Sequence, residues 1–321
     1  MGLNMQSSGD IILRLISDGN GSVNLVGKEG VEVLFRRLSP PSADEIAASS
    51  SSGLERLSSL QLEDGSFPFT FVSPAGESRP CHPLFSTVTV LLAAGGLLAS
   101  DALEAACRFV ARQRRDDGLW RFGPGDELPP DSDDTACALA SICLYGGYVP
   151  GTSDARLLRQ FWRDPDGPFQ TWINAPAEWM RIDRDDAVVN FNVLLALRVL
   201  GSPPTAAERR AAITLANKTR KATRYYCSPL TTAYAARRAG MTMSDLHPAL
   251  IARPPRRNIQ AIAQRVIALG EADPRSLRSI IDSQNPGGGW SAEDWCRGIN
   301  GNAWKSEAVT SALCLEALAT D

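Results

Sequence analysis

The sequence predicts an all-α chain in which helical hairpins form a ring, with amphipathic helices outside and apolar helices inside. Three observations carry this. A short phrase of Gln or Arg, three residues, Gly, one residue and an aromatic recurs along the chain. Amphipathic and apolar stretches alternate around it, and the apolar ones keep helical spacing and stop at glycines. Little of the chain alternates with period two.

The phrase is complete at Gln61, Gly65 and Phe67 and at Gln284, Gly288 and Trp290. Arg takes the first place at Arg114, Gly118 and Trp120 and at Arg163, Gly167 and Phe169. The glycines at 65, 118 and 167 stand 53 and 49 residues apart, and the 121 residues to Gly288 leave room for a degenerate copy around Tyr225 and Tyr226. Such a period marks a stacked supersecondary unit. An amphipathic helix precedes the phrase, as at 103–114 and 277–283. A polar loop follows it, then an apolar, alanine-rich helix at 84–98, 135–145, 187–200, 230–238 or 308–318. Residues 1–42 are read as an N-terminal helical segment and candidate lid, and residues 43–321 as one α/α barrel domain.

The apolar helices begin with polar residues: Ser86 and Thr87, Asp133 to Thr135, Asp185 and Asp186, Thr231 and Thr232, Ser306 and Glu307. Each start can be read as an N-cap, which satisfies orphan N–H groups and suits anions at the positive helix end. If the inner helices run parallel, all these starts meet at one mouth of the ring and make a polar-rimmed cavity there.

With 33 basic and 36 acidic residues the chain offers no polyanion-binding balance, so nucleic acid is not an expected partner. Seven scattered cysteines without a CxxC pair read as reduced thiols in a cytoplasmic protein. Residues 1–10 lack the basic and apolar regions of a signal peptide. Apolar runs such as 88–99 fall short of the ~20 residues of a membrane span. Peripheral membrane contact and a homodimer are compatible with all of this.

At Asp131-Ser132-Asp133-Asp134-Thr135-Ala136 three carboxyl groups crowd one helix start. Groups that close cannot all ionise easily, so at least one keeps its proton. The segment resembles the DxDDTA motif of class II terpene cyclases, the squalene-hopene and class II diterpene cyclases, and the Gln-Gly-aromatic phrases resemble their QW repeats. The resemblance covers residues 43–321 as architecture, with its specific part in about a dozen residues and two complete phrases. It implies an α/α barrel (α-α toroid) of the terpenoid cyclase/prenyltransferase type, here a single β-type domain without the second helical domain usual in the family. It implies isomerase activity: protonation-initiated cyclisation of a polyisoprenoid, either a prenyl diphosphate or a meroterpenoid polyene. Asp133 would be the general acid, with Asp131 and Asp134 tuning it, and no cofactor beyond Mg²⁺ accompanying a diphosphate substrate. Trp120, Phe169 and Trp290, as repeat residues, would brace outer helices.

Carbocations need walls of negative potential without a nucleophile, which aromatic faces supply. Tyr145, Trp172, Trp179, Phe191, Tyr234 and Trp304 are the candidates, weighed against ordinary core positions. Arg184 lies in a second acidic string, Asp183-Arg184-Asp185-Asp186, where its charge reduces the pressure that keeps an acid protonated. With Arg181, Lys218, Arg220, Lys221 and Arg224 it is a candidate grip on a diphosphate, although a solvated basic face accounts better for most of them. Two other readings stand beside the cyclase: a non-catalytic barrel binding an isoprenoid or a protein partner, and a protein-prenyltransferase-like subunit. The latter would bind zinc through Asp294 and Cys296, but the chain has only His82 and His247 and neither follows Cys296. No metal site is expected.

Overall fold

The computed structural model describes residues 4–6, 12–17, 23–26, 32–35, 40–123, 128–163, 165–173, 185–219, 223–252, 254, 258–298 and 300–320. Eleven α-helices occur among them: α1 (Ala43–Ser59), α2 (Leu84–Ala94), α3 (Ser100–Arg112), α4 (Ser132–Tyr145), α5 (Thr152–Arg159), α6 (Ala187–Val199), α7 (Ala206–Thr219), α8 (Pro229–Arg238), α9 (Ile259–Leu269), α10 (Pro274–Asp282) and α11 (Glu307–Leu318). The apolar helices α2, α4, α6, α8, α9 and α11 pack in that order, each on the next, and α11 packs on α2. The amphipathic helices lie against them: α1 on α11, α3 on α2 and α4, α5 on α4 and α6, α7 on α6, and α10 on α9. No described helix is long and apolar enough to cross a membrane.

The recurring phrase has one structural job in the copies at Gly65, Gly118 and Gly288, whereas Arg163 turns its guanidinium to Asp185. Gln61 Nε2 donates to the carbonyls of Gly65 (2.9 Å) and Ala102 (2.8 Å), and Gln284 Nε2 to those of Gly288 (2.6 Å) and Ser49 (2.8 Å). Each amide thus closes its own turn and ties it to a neighbouring helix. Arg114 does the same through Nε to Gly118 O (3.1 Å), and its guanidinium lies over the Trp120 ring. The glycines are required: Gly65 has φ +90°, and a Cβ there would sit 2.3 Å from Ala105 O. The aromatic residue then docks on the inner helix that follows. The backbone N–H groups of Phe67, Trp120, Phe169 and Trp290 are accepted by Thr87, Thr135, Asn190 and Ser311. Trp120 and Trp290 also donate their indole N–H to Val110 O and Ile280 O of the preceding outer helices.

An all-α expectation is incomplete in two places. Residues expected as an N-terminal helical segment include four strands, β1 (Asn4–Gln6), β2 (Ile12–Ser17), β3 (Val23–Val26) and β4 (Glu32–Phe35), paired antiparallel in chain order. Their register sets Arg14 opposite Val26 and Val23 opposite Phe35. These runs of three to six residues are too short for helical periodicity, are rich in Val, Ile and Leu, and are separated by Gly, Asn and Ser. A second sheet, in the order β6-β5-β8-β7, contains β5 (Phe69–Val72), β6 (Ser78–Cys81), β7 (Glu293–Arg297) and β8 (Ala303–Ser306). Its β5–β8 pairing, with Phe71 opposite Trp304, joins the lead-ins of the first and last inner helices.

Candidate active site

The inner helices start at one end of the assembly, and their lead-ins build a cavity of about 390 Å³ there. Phe85 at the start of α2, Asp133 and Asp134 at the start of α4 and Val189 at the start of α6 line it, with Tyr226 ahead of α8 and Trp304 ahead of α11. Its walls are largely aromatic. Phe122 meets Trp304 edge-on at 5.5 Å and Phe85 at 5.9 Å, and Trp172 donates its indole N–H to the Tyr225 hydroxyl at 2.9 Å. The exposed Arg224, Arg297 and Asn300 lie on its open side.

The acid motif is clamped before α4 begins. Asp131 has an extended backbone, and its Oδ1 accepts the Asp134 N–H at 2.7 Å, which makes it the N-cap. Ser132 is tied to the third phrase through its N–H to Thr171 O (2.8 Å) and its hydroxyl to Gln170 O (2.8 Å). Both oxygens of Asp133 accept hydrogen bonds from distant elements: Oδ1 from Asn192 Nδ2 at 2.8 Å and Oδ2 from the Tyr226 hydroxyl. The Cys137 thiol, one turn on, lies 4.0 Å from Oδ1.

All three aspartates are buried. Burial raises the Asp133 pKa, against the hydrogen bonds from Tyr226 and Asn192, which lower it. Burial pushes Asp131 up to about 7, with the Asp133 charge adding to the rise. Asp134 is pushed well above the carboxylate range, first by burial and then by the charge of Asp131. Both Asp134 oxygens are buried without a hydrogen-bond partner, as suits a carboxyl that stays neutral. The arrangement therefore places buried acids at the edge of an aromatic-lined cavity, and it gives one of them, Asp133, two preset donors.

The structure brings together Asp131, Asp133, Asp134, Trp172, Arg224, Cys296 and Trp304, of the residues singled out in the sequence. It does not bring Tyr145, Phe191 or Tyr234 to this cavity. Tyr145 ends α4, about 18 Å along the axis from Asp133, where its ring lies against Gly95. Phe191 is fully buried in the core of α6. Tyr234 donates to Glu316 at 2.8 Å and accepts from Arg238, far down α8. Trp179, Asp183 and Arg184 lie outside the described residues, as do Arg181, Arg220 and Lys221, and Lys218 is exposed on α7. Two expected mouth residues face away: Asp185 pairs with Arg163 at 2.9 Å, and Glu307 pairs with Arg56 of α1 at 2.7 Å. Asp186 is the buried acid of its string, N-capping α6 through Val188 N–H.

Sequence reasoning missed Asn192, Tyr226, Tyr225, Phe85 and Phe122. Asn190 and Asn192 are the polar residues inside an otherwise apolar α6, and Tyr225 and Tyr226 had been noted only as a degenerate phrase. The zinc reading finds no support in geometry: Asp294 pairs with Lys305 at 3.1 Å, Cys296 lines the aromatic cavity, and His247 accepts from Ala249 N–H. Among the described residues no three His, Cys, Asp or Glu side chains converge as a metal site.

These buried acids make stability depend on pH. Asp131 and Asp186 are each pushed from 3.8 up to about 7 by burial, and Glu316 from 4.5 to about 7 by the same cause. Below those ordinary values both folded and unfolded chains are protonated. As pH rises toward about 7 the unfolded chain releases protons that the folded chain keeps, so stability falls across that window by up to about 1.4 kcal/mol per pH unit for each group. Urea unfolding across the window is expected to give this negative slope, and Asp186→Asn, which keeps a capping oxygen, is expected to flatten it. A slope of zero or of opposite sign would contradict the buried-acid assignment.

No family model matches the sequence, and neither does any curated protein. Solved structures do match. A protein from Actinoplanes superposes with a TM-score of 0.66 at 16% identity, covering 86% of this chain and 99% of that one. The type II terpene cyclase MstE from Scytonema superposes with a TM-score of 0.63 at 16% identity, covering 87% of this chain and 98% of that one. This chain shares their fold. An unsaturated glucuronyl hydrolase specific for heparin also superposes, with a TM-score of 0.53 at 14% identity over 86% of this chain and 96% of that one. Helix arrangement alone therefore does not choose the chemistry, which has to be argued from the site.

Proposed function

We propose that this protein is a class II terpene cyclase, in which the six inner helices close an α/α barrel and Asp133 protonates a polyisoprenoid alkene at one end of it. The observation that carries this reading is Asp133 itself: buried at the edge of an aromatic cavity, crowded by two carboxyls and held by Asn192 and Tyr226. In the first step the Asp133 O–H bond breaks and a C–H bond forms at the terminal alkene, leaving a tertiary cation. Internal alkenes then attack it in turn, forming ring C–C bonds, and loss of a proton from the last cation makes the product an isomer of the substrate. Asn192 and Tyr226 stabilise the carboxylate as it forms, because their donors already point at its oxygens. Burial keeps Asp133 loaded against the pull of its two donors, and Asp131 and Asp134 flank it as further buried acids. The aromatic walls stabilise the cation without reacting with it.

Arg224 and Arg297 on the open side suit an anionic head group, a diphosphate with its own Mg²⁺ or the acidic aromatic head of a meroterpenoid. The Scytonema cyclase has been solved with geranylgeranyl dihydroxybenzoate as substrate, which supports the second class. Such an enzyme would act in the cytoplasm on an isoprenoid, with a membrane surface or a second copy of the chain helping to cover the open side. The test is incubation of the purified chain with farnesyl and geranylgeranyl diphosphates and with prenylated dihydroxybenzoates, with and without Mg²⁺. Cyclic isomers are the expected products. Failure of every member to cyclise would count against the reading and in favour of a non-catalytic isoprenoid-binding barrel.

A further inference from the structure

A second concave site lies at the opposite end of the inner helices, at Arg198, six residues further along α6 than the Asn192 that holds Asp133. It is a basin of about 650 Å³ at the surface, formed by the end of α6, the start of α7 and the turn after α8. Arg198, Arg209 and Arg210 line it, together with Pro203, Pro204 and Thr242. None of the three arginines pairs with a carboxylate among the described residues.

The basin's own acid, Asp245, is occupied by the Thr242 hydroxyl at 2.6 Å and backbone N–H at 3.3 Å. Glu208, the other acid on this part of α7, is buried and bound by Arg159 at 2.9 Å and by Thr205 N–H. Neither acid therefore neutralises the three arginines. Arg198 is also held in place, since its Nη1 donates to Arg238 O at 3.2 Å over Gly240. A Cβ at Gly240 would lie 2.2 Å from that nitrogen, and φ there is +81°. One guanidinium is thus positioned by backbone on a turn only glycine makes easily, and two more stand one residue apart on the facing helix.

We propose that this basin binds a phosphate-class anion, with Arg198, Arg209 and Arg210 as its ligands. Guanidinium forks match phosphate oxygens in pairs, and two such groups beside a fixed third suit a phosphate with several free oxygens, either soluble or carried by a lipid head group. The site stands apart from the cyclase reading and does not depend on it.

Two probes test it on the full chain: calorimetric titration with inorganic pyrophosphate at low ionic strength, and co-sedimentation with vesicles of phosphatidylcholine alone or mixed with phosphatidic acid. Binding to pyrophosphate or to the mixed vesicles is expected, and it should weaken about tenfold or more in Arg209→Ala/Arg210→Ala. Arg198→Lys, which keeps a charge on a long stem but not the guanidinium fork, should weaken it by a smaller factor. Asp133→Asn should leave it unchanged, which separates failure of this site from failure of the cyclase. Binding of pyrophosphate alone would assign a soluble phosphate, and binding of mixed vesicles alone a lipid head group. The proposal is overturned if neither probe binds, or if variants with unchanged melting temperature bind as the wild type does.

Discussion

Asparagine in place of Asp133 is expected to lower cyclisation about 100- to 10,000-fold, the usual worth of a positioned general acid. The change keeps the size of the side chain and its place at the start of α4, but it removes the proton that the proposed first step consumes. Folding should suffer little, because the α4 N-cap is Asp131 and the helix is clamped through Ser132, neither of which is altered. The control is Asp185→Asn. That acid sits beside a buried one in the second acidic string, yet it is paired with Arg163 away from the cavity, so cyclisation should stay near the wild-type rate. Equal losses in the two variants at matched stability would show that charge near the helix starts matters rather than this acid.

Removing both donors to Asp133, in Tyr226→Phe/Asn192→Leu, is the second large effect. A hydrogen bond to a charged group is worth about 1.5–3 kcal/mol, so losing two from the carboxylate that forms in the first step should cost about 100- to 10,000-fold in rate. The pH profile distinguishes this from simple damage. In the proposed mechanism Asp133 works protonated, so activity should fall as pH rises through its pKa. Tyr226 and Asn192 hold that pKa down against burial, so their loss should move the fall to higher pH even as the maximum rate drops. A structural defect would lower the rate without moving the profile.

Much of this architecture is legible in the sequence because its causes are local. A positive-φ glycine, an amide or guanidinium four residues before it and an aromatic two residues after it make one turn, which repeats at Gly65, Gly118 and Gly288. The acid motif is legible for the same reason, since three carboxyls at one helix start need no distant residue to be conspicuous. The partners of Asp133 are not: Asn192 lies 59 residues away and Tyr226 lies 93 away, and only the packing of α4, α6 and the lead-in to α8 joins them. The aromatic candidates were misplaced for a related reason. The cavity is lined from lead-ins and first turns, as Phe122, Trp172, Tyr225 and Trp304 show, whereas Tyr145 and Tyr234 sit further along their helices and Phe191 is buried on a different face of α6 from Val189 and Asn192. Aromatic character in an apolar helix says nothing about depth along its axis. The N-terminal strands escaped because short apolar runs carry too few residues to reveal a period.

The central claim is that catalysis begins with a proton from Asp133, and the most direct measurement follows that proton. Asp133 O–H exchanges with solvent between turnovers, so cyclisation of an accepted substrate in D₂O should give a product isomeric with the substrate, head group retained, with a single deuterium on the carbon protonated first. Asp133→Asn under the same conditions should form no labelled product. A cyclic product without deuterium, one that has lost its diphosphate, or one labelled equally by Asp133→Asn would contradict the account.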